Sequence, residues 1–349
     1  MDPMLLKAVI ALAPVLVCLV VFERVDAFRL IGVREIGLLL VGGGILAALS
    51  YAANGSVLDQ FPLRQDNYSQ WVAPVVEECM KAALIIGLFA LNRFGYLIDA
   101  AIGGFAVGAG FSVVENLFYL HEFTHASLGV WLVRGFGTAI MHGGAAAIFA
   151  VLSQVLYAPR LRLDATRFHF NPLLFLPGLA AAIVLHAGFN HFTSEPLAAM
   201  AIVLLAVPLG LFAIFAAGER YAHRWLAENR EAHGKLLEDI DSGAFAATAN
   251  GQALKALGER LGPEREKDLF DYVRLHTDLV VRAETNLLAL EDHEQVAIRD
   301  DLRERFHQLH ALERRLGMSP VMAVRQHLHF SRQDLWEMHE LENHAPKSA

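Results

Sequence analysis

The chain has 349 residues, with 29 Lys and Arg against 37 Asp and Glu for a net charge of −8; 55% of it is apolar and 19% charged. That mix is too oily for a wholly cytosolic enzyme and too apolar for a disordered chain. Two cysteines exclude a secreted disulfide scaffold, and an acidic balance without a dense basic patch argues against nucleic-acid binding. The average hides a split: residues 1–218 hold 11 basic and 13 acidic side chains, whereas 219–349 hold 18 and 24. The predicted architecture is therefore all-α, a polytopic membrane helix bundle over 1–218 followed by a soluble helical tail over 219–349.

A bilayer core of about 30 Å takes about 20 mostly apolar helical residues. Seven runs qualify in chain order: Leu5–Phe22, Ile36–Ala53, Trp71–Leu91, Tyr96–Tyr119, Trp131–Tyr157, Pro172–Phe192 and Leu197–Gly218. No small-x-small cleavage site precedes Glu23-Arg24-Val25-Asp26, so the first run reads as a retained span. Cys18 and Cys79 lie in apolar runs and read as small buried hydrophobes. The longest gap between spans, Asn54–Gln70, holds the turn formers Gly55, Pro62 and Asn67.

Short-loop charge gives the orientation. One side carries Arg24, Arg29, Arg34, Arg93, Arg160, Arg162 and Arg167; the other offers Arg64, with Lys7 near the amino terminus pulling the opposite way. This predicts an amino terminus outside and a cytoplasmic tail, with Trp71, Tyr119 and Trp131 at the outer interface. In the tail, Glu219 to about Ile240 continues the seventh span, and 241–251 reads as a linker. Pro263 opens a helix with Leu269, Phe270, Val273, Val280 and Val281 at three- and four-residue steps, and further helices are expected at Val296–Leu316 and Pro320–Leu328. His307 with His310, and His327 with His329, read as solvated histidines, because no Cys or carboxylate cluster completes a metal site.

Ionisable residues inside a span cost roughly 2.5–3.5 kcal/mol on insertion scales and mark sites or pathways. Here they recur on four successive spans: Glu77-Glu78-Cys79-Met80-Lys81; Glu115-Asn116; Arg134 with His142; and His186 with Asn190 and His191. At 1.5 Å per residue, Glu77 and Glu78 lie about 10 Å below Trp71, Glu115 about 6 Å below Tyr119, His186 about 9 Å below Phe192 and His142 about 16 Å below Trp131. All fall in the outer half or near the midplane, which predicts one outward-opening polar cavity. Lys81 is one turn from both acids and can neutralise one of them. The two glutamates point about 100° apart and can serve different partners. A glutamate so placed can be tuned as a general base near neutral pH, and the Asn190 amide could stabilise an oxyanion. That set suits peptide hydrolysis by water. Glu78–Lys81 also reads as a structural ion pair, Asn116 as interhelical glue, Arg134 as an anchor or carboxylate partner, and Asp99 as solvated at the inner end. Gly103, Gly104, Gly108 and Gly110 permit close helix packing.

Glu77-Glu78-x-x-Lys81, Phe111-x-x-x-Glu115-Asn116, His142 after Arg134, and His186-x-x-x-Asn190 together resemble the PrsW family of intramembrane proteases, itself distantly similar to the type II CAAX prenyl endopeptidases. The resemblance covers about residues 70–195. It implies cleavage of a membrane-anchored regulator, such as an anti-sigma factor, in a bacterial-type cell membrane, by an enzyme of glutamic or metallo type. Carried over by position, Glu77, Glu78, Glu115, His142, His186 and Asn190 are the site residues, with Lys81, Asn116 and Arg134 in support. Either glutamate could be the base. Glu115, His142 and His186 could hold Zn²⁺. Other readings remain: a zinc protease built on His121-Glu122-x-x-His125, which lies at the span's outer end without a later third ligand; a proton-coupled transporter, without an evident internal repeat; or a non-catalytic scaffold whose tail binds a cytoplasmic partner.

Overall fold

The computed structural model describes residues 3–26, 31–61, 63–161, 170–192, 194–291, 301–328 and 330–343. Arg29, Arg162, Arg167, Pro62 and His329 lie outside them. Every element among the described residues is helical. Contacts divide the chain into two units, Met1–Tyr157 with Phe170–Glu219, and Ala158–His169 with Arg220–Ala349.

The first unit contains α1 (Pro3–Val25), α2 (Val33–Gln60), the single turn α3 (Gln65–Asn67), α4 (Ala73–Ala90), α5 (Leu97–Glu122), α6 (Leu128–Val133), α7 (Ala139–Leu161) as far as Tyr157, α8 (Leu176–His191) and the first part of α9 (Pro196–Ser242). Among the described residues, six helices are long and apolar enough to cross a membrane. The expected third span is α4, which is 18 residues long but carries Glu77, Glu78 and Lys81, so composition alone does not mark it as a span. Within the bundle α5 is central: 83% of its apolar window is buried, against 28% for α1 and for α2. Its run of Ala and Gly makes this possible. A Cβ at Gly110 would strike the Leu40 carbonyl of α2, and one at Gly108 the His142 carbonyl of α7. Close approach of backbones is how helices associate where lipid supplies no hydrophobic drive. α1 belongs to the same bundle, its Phe22 ring packing edge-on against Phe105, Phe212 and Phe215.

Several local expectations are corrected. Cys18 is only half-buried and Cys79 is exposed on α4. Trp131 is fully buried against Ala11 and Leu120, so it packs inside the bundle while Trp71 stays exposed. Asp99 is buried at 1% exposure because its Oδ2 accepts from the backbone N–H of Gly95 and Tyr96, capping the start of α5.

The second unit contains the remainder of α9, then α10 (Ala249–Leu261), α11 (Pro263–Glu291), α12 (Leu302–Leu316), α13 (Met318–His327) and α14 (Arg332–Asn343). Leu269, Tyr272 and Val273 of α11, Phe306 and Leu309 of α12, and Met338 of α14 share one core. The stretch read as a linker, 241–251, is folded into that core. α9 ends at Ser242, Gly243 takes φ 81°, Phe245 is buried, and the Thr248 hydroxyl accepts from Gly251 N–H at 3.0 Å to start α10. α12 begins at Leu302, and residues 296–300 of its expected start lie outside the described residues.

Candidate active site

Two π-helical turns, Tyr68–Val72 before α4 and Arg134–Thr138 between α6 and α7, widen the helices where they meet a cavity of about 700 Å³. Such turns are frequent at functional sites. Glu77 of α4, Glu115 of α5, Arg134 and His142 of the α6–α7 segment, and His186 and Asn190 of α8 all line it. Four segments thus bring their polar groups to one place. Glu78 and Lys81 are not on its wall: both side chains are 1% exposed and lie behind it.

Behind the wall, the Lys81 ammonium donates to Glu78 Oε1 at 2.6 Å and lies 3.0 Å from His142 Nδ1, over the Phe111 ring at 4.7 Å. An ammonium only donates, so His142 Nδ1 accepts and the His142 proton sits on Nε2. Nε2 faces Glu115 Oε2 at 3.2 Å. His186 Nδ1 lies 2.7 Å from Glu78 Oε1, which as a carboxylate oxygen only accepts, so Nδ1 carries the proton. In the neutral imidazole the lone pair of His186 is then on Nε2. This nitrogen faces Glu77 Oε2 at 3.8 Å, and that oxygen is buried without a hydrogen-bond partner. Two acceptors therefore oppose each other across the cavity wall. A donor or a cation between them satisfies both.

The rest of the site is held from α1, α2 and α5. Glu115 Oε2 pairs with Arg134 Nη2 at 3.1 Å, and Arg134 stacks over the Tyr119 ring at 3.9 Å. Asn116 holds this arginine: its Oδ1 accepts from Arg134 Nε at 2.8 Å while its Nδ2 donates to the Ala11 carbonyl at 2.8 Å. Asn190 Nδ2 donates to the Ser69 carbonyl at 2.9 Å. Asn54 and Tyr68 escape the sequence reading. Asn54 Nδ2 donates to Glu77 Oε1 at 3.4 Å and its Oδ1 accepts from the Tyr68 hydroxyl at 2.7 Å. The only sequence signal is a polar residue late in an apolar run. His191 is elsewhere engaged, its Nδ1 2.6 Å from the Ala187 carbonyl and its ring on Trp71.

Glu77, His142 and His186 each offer a ligand atom within 4.8 Å of the others. The expected trio had Glu115 in place of Glu77; Glu115 is instead engaged by Arg134 and His142. The orphaned Glu77 oxygen and the free His186 Nε2 fit a metal. His142 joins them only if Nε2 gives its proton to Glu115 while Lys81 supplies one to Nδ1. His121-Glu122-x-x-His125 does not form a comparable set. α5 ends at Glu122, so His125 lies beyond the helix that would align the two imidazoles, and all three residues are exposed.

Fold and site together define a multi-pass helical membrane protein with a buried carboxylate–imidazole centre. Residues 35–217, just over half of the chain, match the family described as PrsW family intramembrane metalloprotease. The chain belongs to that family. It is an integral membrane protein and an intramembrane protease, and its substrate is a protein embedded in the bilayer. No curated protein and no solved structure matches it.

Proposed function

We propose that this chain is an endopeptidase that cuts a single-span, membrane-anchored regulator, anti-sigma-factor-like as the family resemblance implies, with water held between Glu77 and His186. The carrying observation is the pair of opposed acceptors, Glu77 Oε2 and His186 Nε2, 3.8 Å apart in the cavity wall. The attacking water donates one proton to Glu77 Oε2, and its oxygen adds to the substrate carbonyl. Glu77 then returns that proton to the leaving amine nitrogen as the carbon–nitrogen bond breaks, which regenerates the carboxylate. Glu78 does not reach the cavity; it fixes the His186 tautomer and offsets Lys81. The second hydrogen of Arg134 Nη2, beyond its ion pair with Glu115, and the second hydrogen of Asn190 Nδ2 are available to the oxyanion. Glu77, His186 and, after its proton shift, His142 would hold a divalent ion, which would polarise the carbonyl and acidify the same water.

α4 is read as a further span, third in chain order, beside the six that composition marks. The π turn from Tyr68 runs directly into it, and Glu78 and Lys81 are paired with each other, which lowers the cost that two isolated charges would carry. The basic residues Arg24, Arg34, Arg93 and Arg160 support an external amino terminus with the second unit in the cytoplasm, and the site opening outward. The test is reconstitution in nanodiscs with a single-span substrate, comparing the wild type with Glu77→Gln, with and without chelator. Equal cleavage by both proteins removes Glu77 from the chemistry, and loss of wild-type cleavage on chelation assigns the metal.

A further inference from the structure

A second convergence of ligating groups lies in the C-terminal unit, formed by helices that the protease chemistry does not use. His233 of α9, Glu284 of α11 and Asp334 of α14 each present a ligand atom within 4.8 Å of the other two. His233 Nδ1 lies 2.8 Å from Glu284 Oε1. Glu284 is fully buried and Asp334 is 3% exposed. Asp334 is fixed in place by a reciprocal cap: its Oδ2 accepts from Ser331 N–H at 2.7 Å, and its own N–H donates to Ser331 Oγ at 3.1 Å. This leaves its other oxygen, Oδ1, buried without a hydrogen-bond partner, and Glu284 Oε2 is in the same condition.

Two buried carboxylates, each with one oxygen lacking a hydrogen bond, form an expensive arrangement unless a positive charge joins them. Arg230, one turn before His233, attracts Glu284 only from an exposed position. One imidazole and two carboxylates from three different helices make a donor set suited to zinc or a similar divalent ion, with a coordination position left for water. We propose that the C-terminal unit binds a divalent transition-metal ion on His233, Glu284 and Asp334. The ion displaces the proton shared by His233 and Glu284 and ties α9, α11 and α14 together. Of the histidines singled out from sequence, His310 is occupied by Glu313 and Glu342 at 3.3 and 3.0 Å.

The experiment uses the full chain in detergent on a Glu77→Gln/His186→Ala background, which removes the intramembrane ligands from the measurement. After chelator stripping, zinc is added and read by elemental analysis and by the melting temperature. The expected result is one zinc per chain and a melting temperature several degrees higher with zinc. Glu284→Gln and His233→Ala should each weaken zinc binding at least tenfold. Asp334→Asn is a harsher variant because it disturbs the α14 cap, so the other two, checked for retained helicity by circular dichroism, decide the matter. Zinc-free protein on this background overturns the proposal, and so does stoichiometric zinc that Glu284→Gln and His233→Ala leave unchanged.

Discussion

Replacing Glu78 and Lys81 together separates the work of the two neighbouring glutamates. Glu78 Oε1 takes the Lys81 ammonium at 2.6 Å and the His186 Nδ1 proton at 2.7 Å, with both members of the ion pair 1% exposed. Removing one partner of such a pair strands a buried charge and costs about 3–5 kcal/mol. Glu78→Gln alone is therefore expected to lower the melting temperature sharply and to report on folding more than on chemistry. In Glu78→Gln/Lys81→Met both charges go, and stability should return to within about 1.5 kcal/mol of wild type. The substituted amide oxygen still accepts from His186, but His142 loses its donor at Nδ1. Cleavage should then fall about 10–100-fold, the usual effect of disturbing groups that orient a working histidine.

Glu77→Gln should behave in the opposite way. Its Oε2 is bonded to nothing, and its Oε1 is reached only by a long 3.4 Å contact from Asn54, so stability has little to lose. Removing a general base lowers the rate about 10²–10⁴-fold. The assay is single-turnover cleavage of a single-span substrate in nanodiscs, with melting temperatures recorded on the same preparations. A stable double variant that cleaves more slowly than Glu77→Gln, or a Glu77→Gln that keeps cleavage within about tenfold of wild type, would refute the division of roles.

Three further outcomes are expected. Gly108→Ala places a methyl on the His142 carbonyl, so it should lower the melting temperature and cleavage together, whereas Gly210→Ala, with open space around it, should leave both near wild type; equal effects would deny the close α5–α7 approach its importance. His121→Ala/His125→Ala should retain full cleavage, because α5 ends before His125; loss of activity in a folded double variant would restore the zinc-protease motif. His276 is fully buried, both its ring nitrogens lack hydrogen-bond partners, and burial pushes it down to about 3. Below about pH 6.5 the unfolded chain binds one proton more than the folded chain at this residue, so stability of the C-terminal unit falls about 1.4 kcal/mol per pH unit from this group as pH drops towards about 3. His276→Leu should therefore gain on wild type in thermal melts as pH is lowered from about 7.5 to about 5, and a gap that does not change with pH would contradict the assignment.

What could be read from sequence followed from short-range periodicity. Apolar runs located the membrane helices, and one-turn spacings placed Glu78 near Lys81 and His186 near Asn190. The 100° between Glu77 and Glu78 announced two environments without saying which was which. That depends on neighbours far along the chain: His186 lies 108 residues from Glu78, and its Nδ1 selects Glu78 and leaves Nε2 to Glu77. Trp131 departs from its expected interface position for a related reason, since an aromatic at a span end suits the interface only when no helix covers it, and α1 covers this one. The C-terminal trio shows the limit most plainly. His233 and Glu284 stand 51 residues apart, with no local spacing to connect them, whereas His307 and His310 are less than one turn apart in sequence. A metal motif is legible when its ligands share a turn or loop. When three helices contribute one ligand each, the signal lies in the buried oxygens that packing leaves without partners, and those exist only once the helices have met.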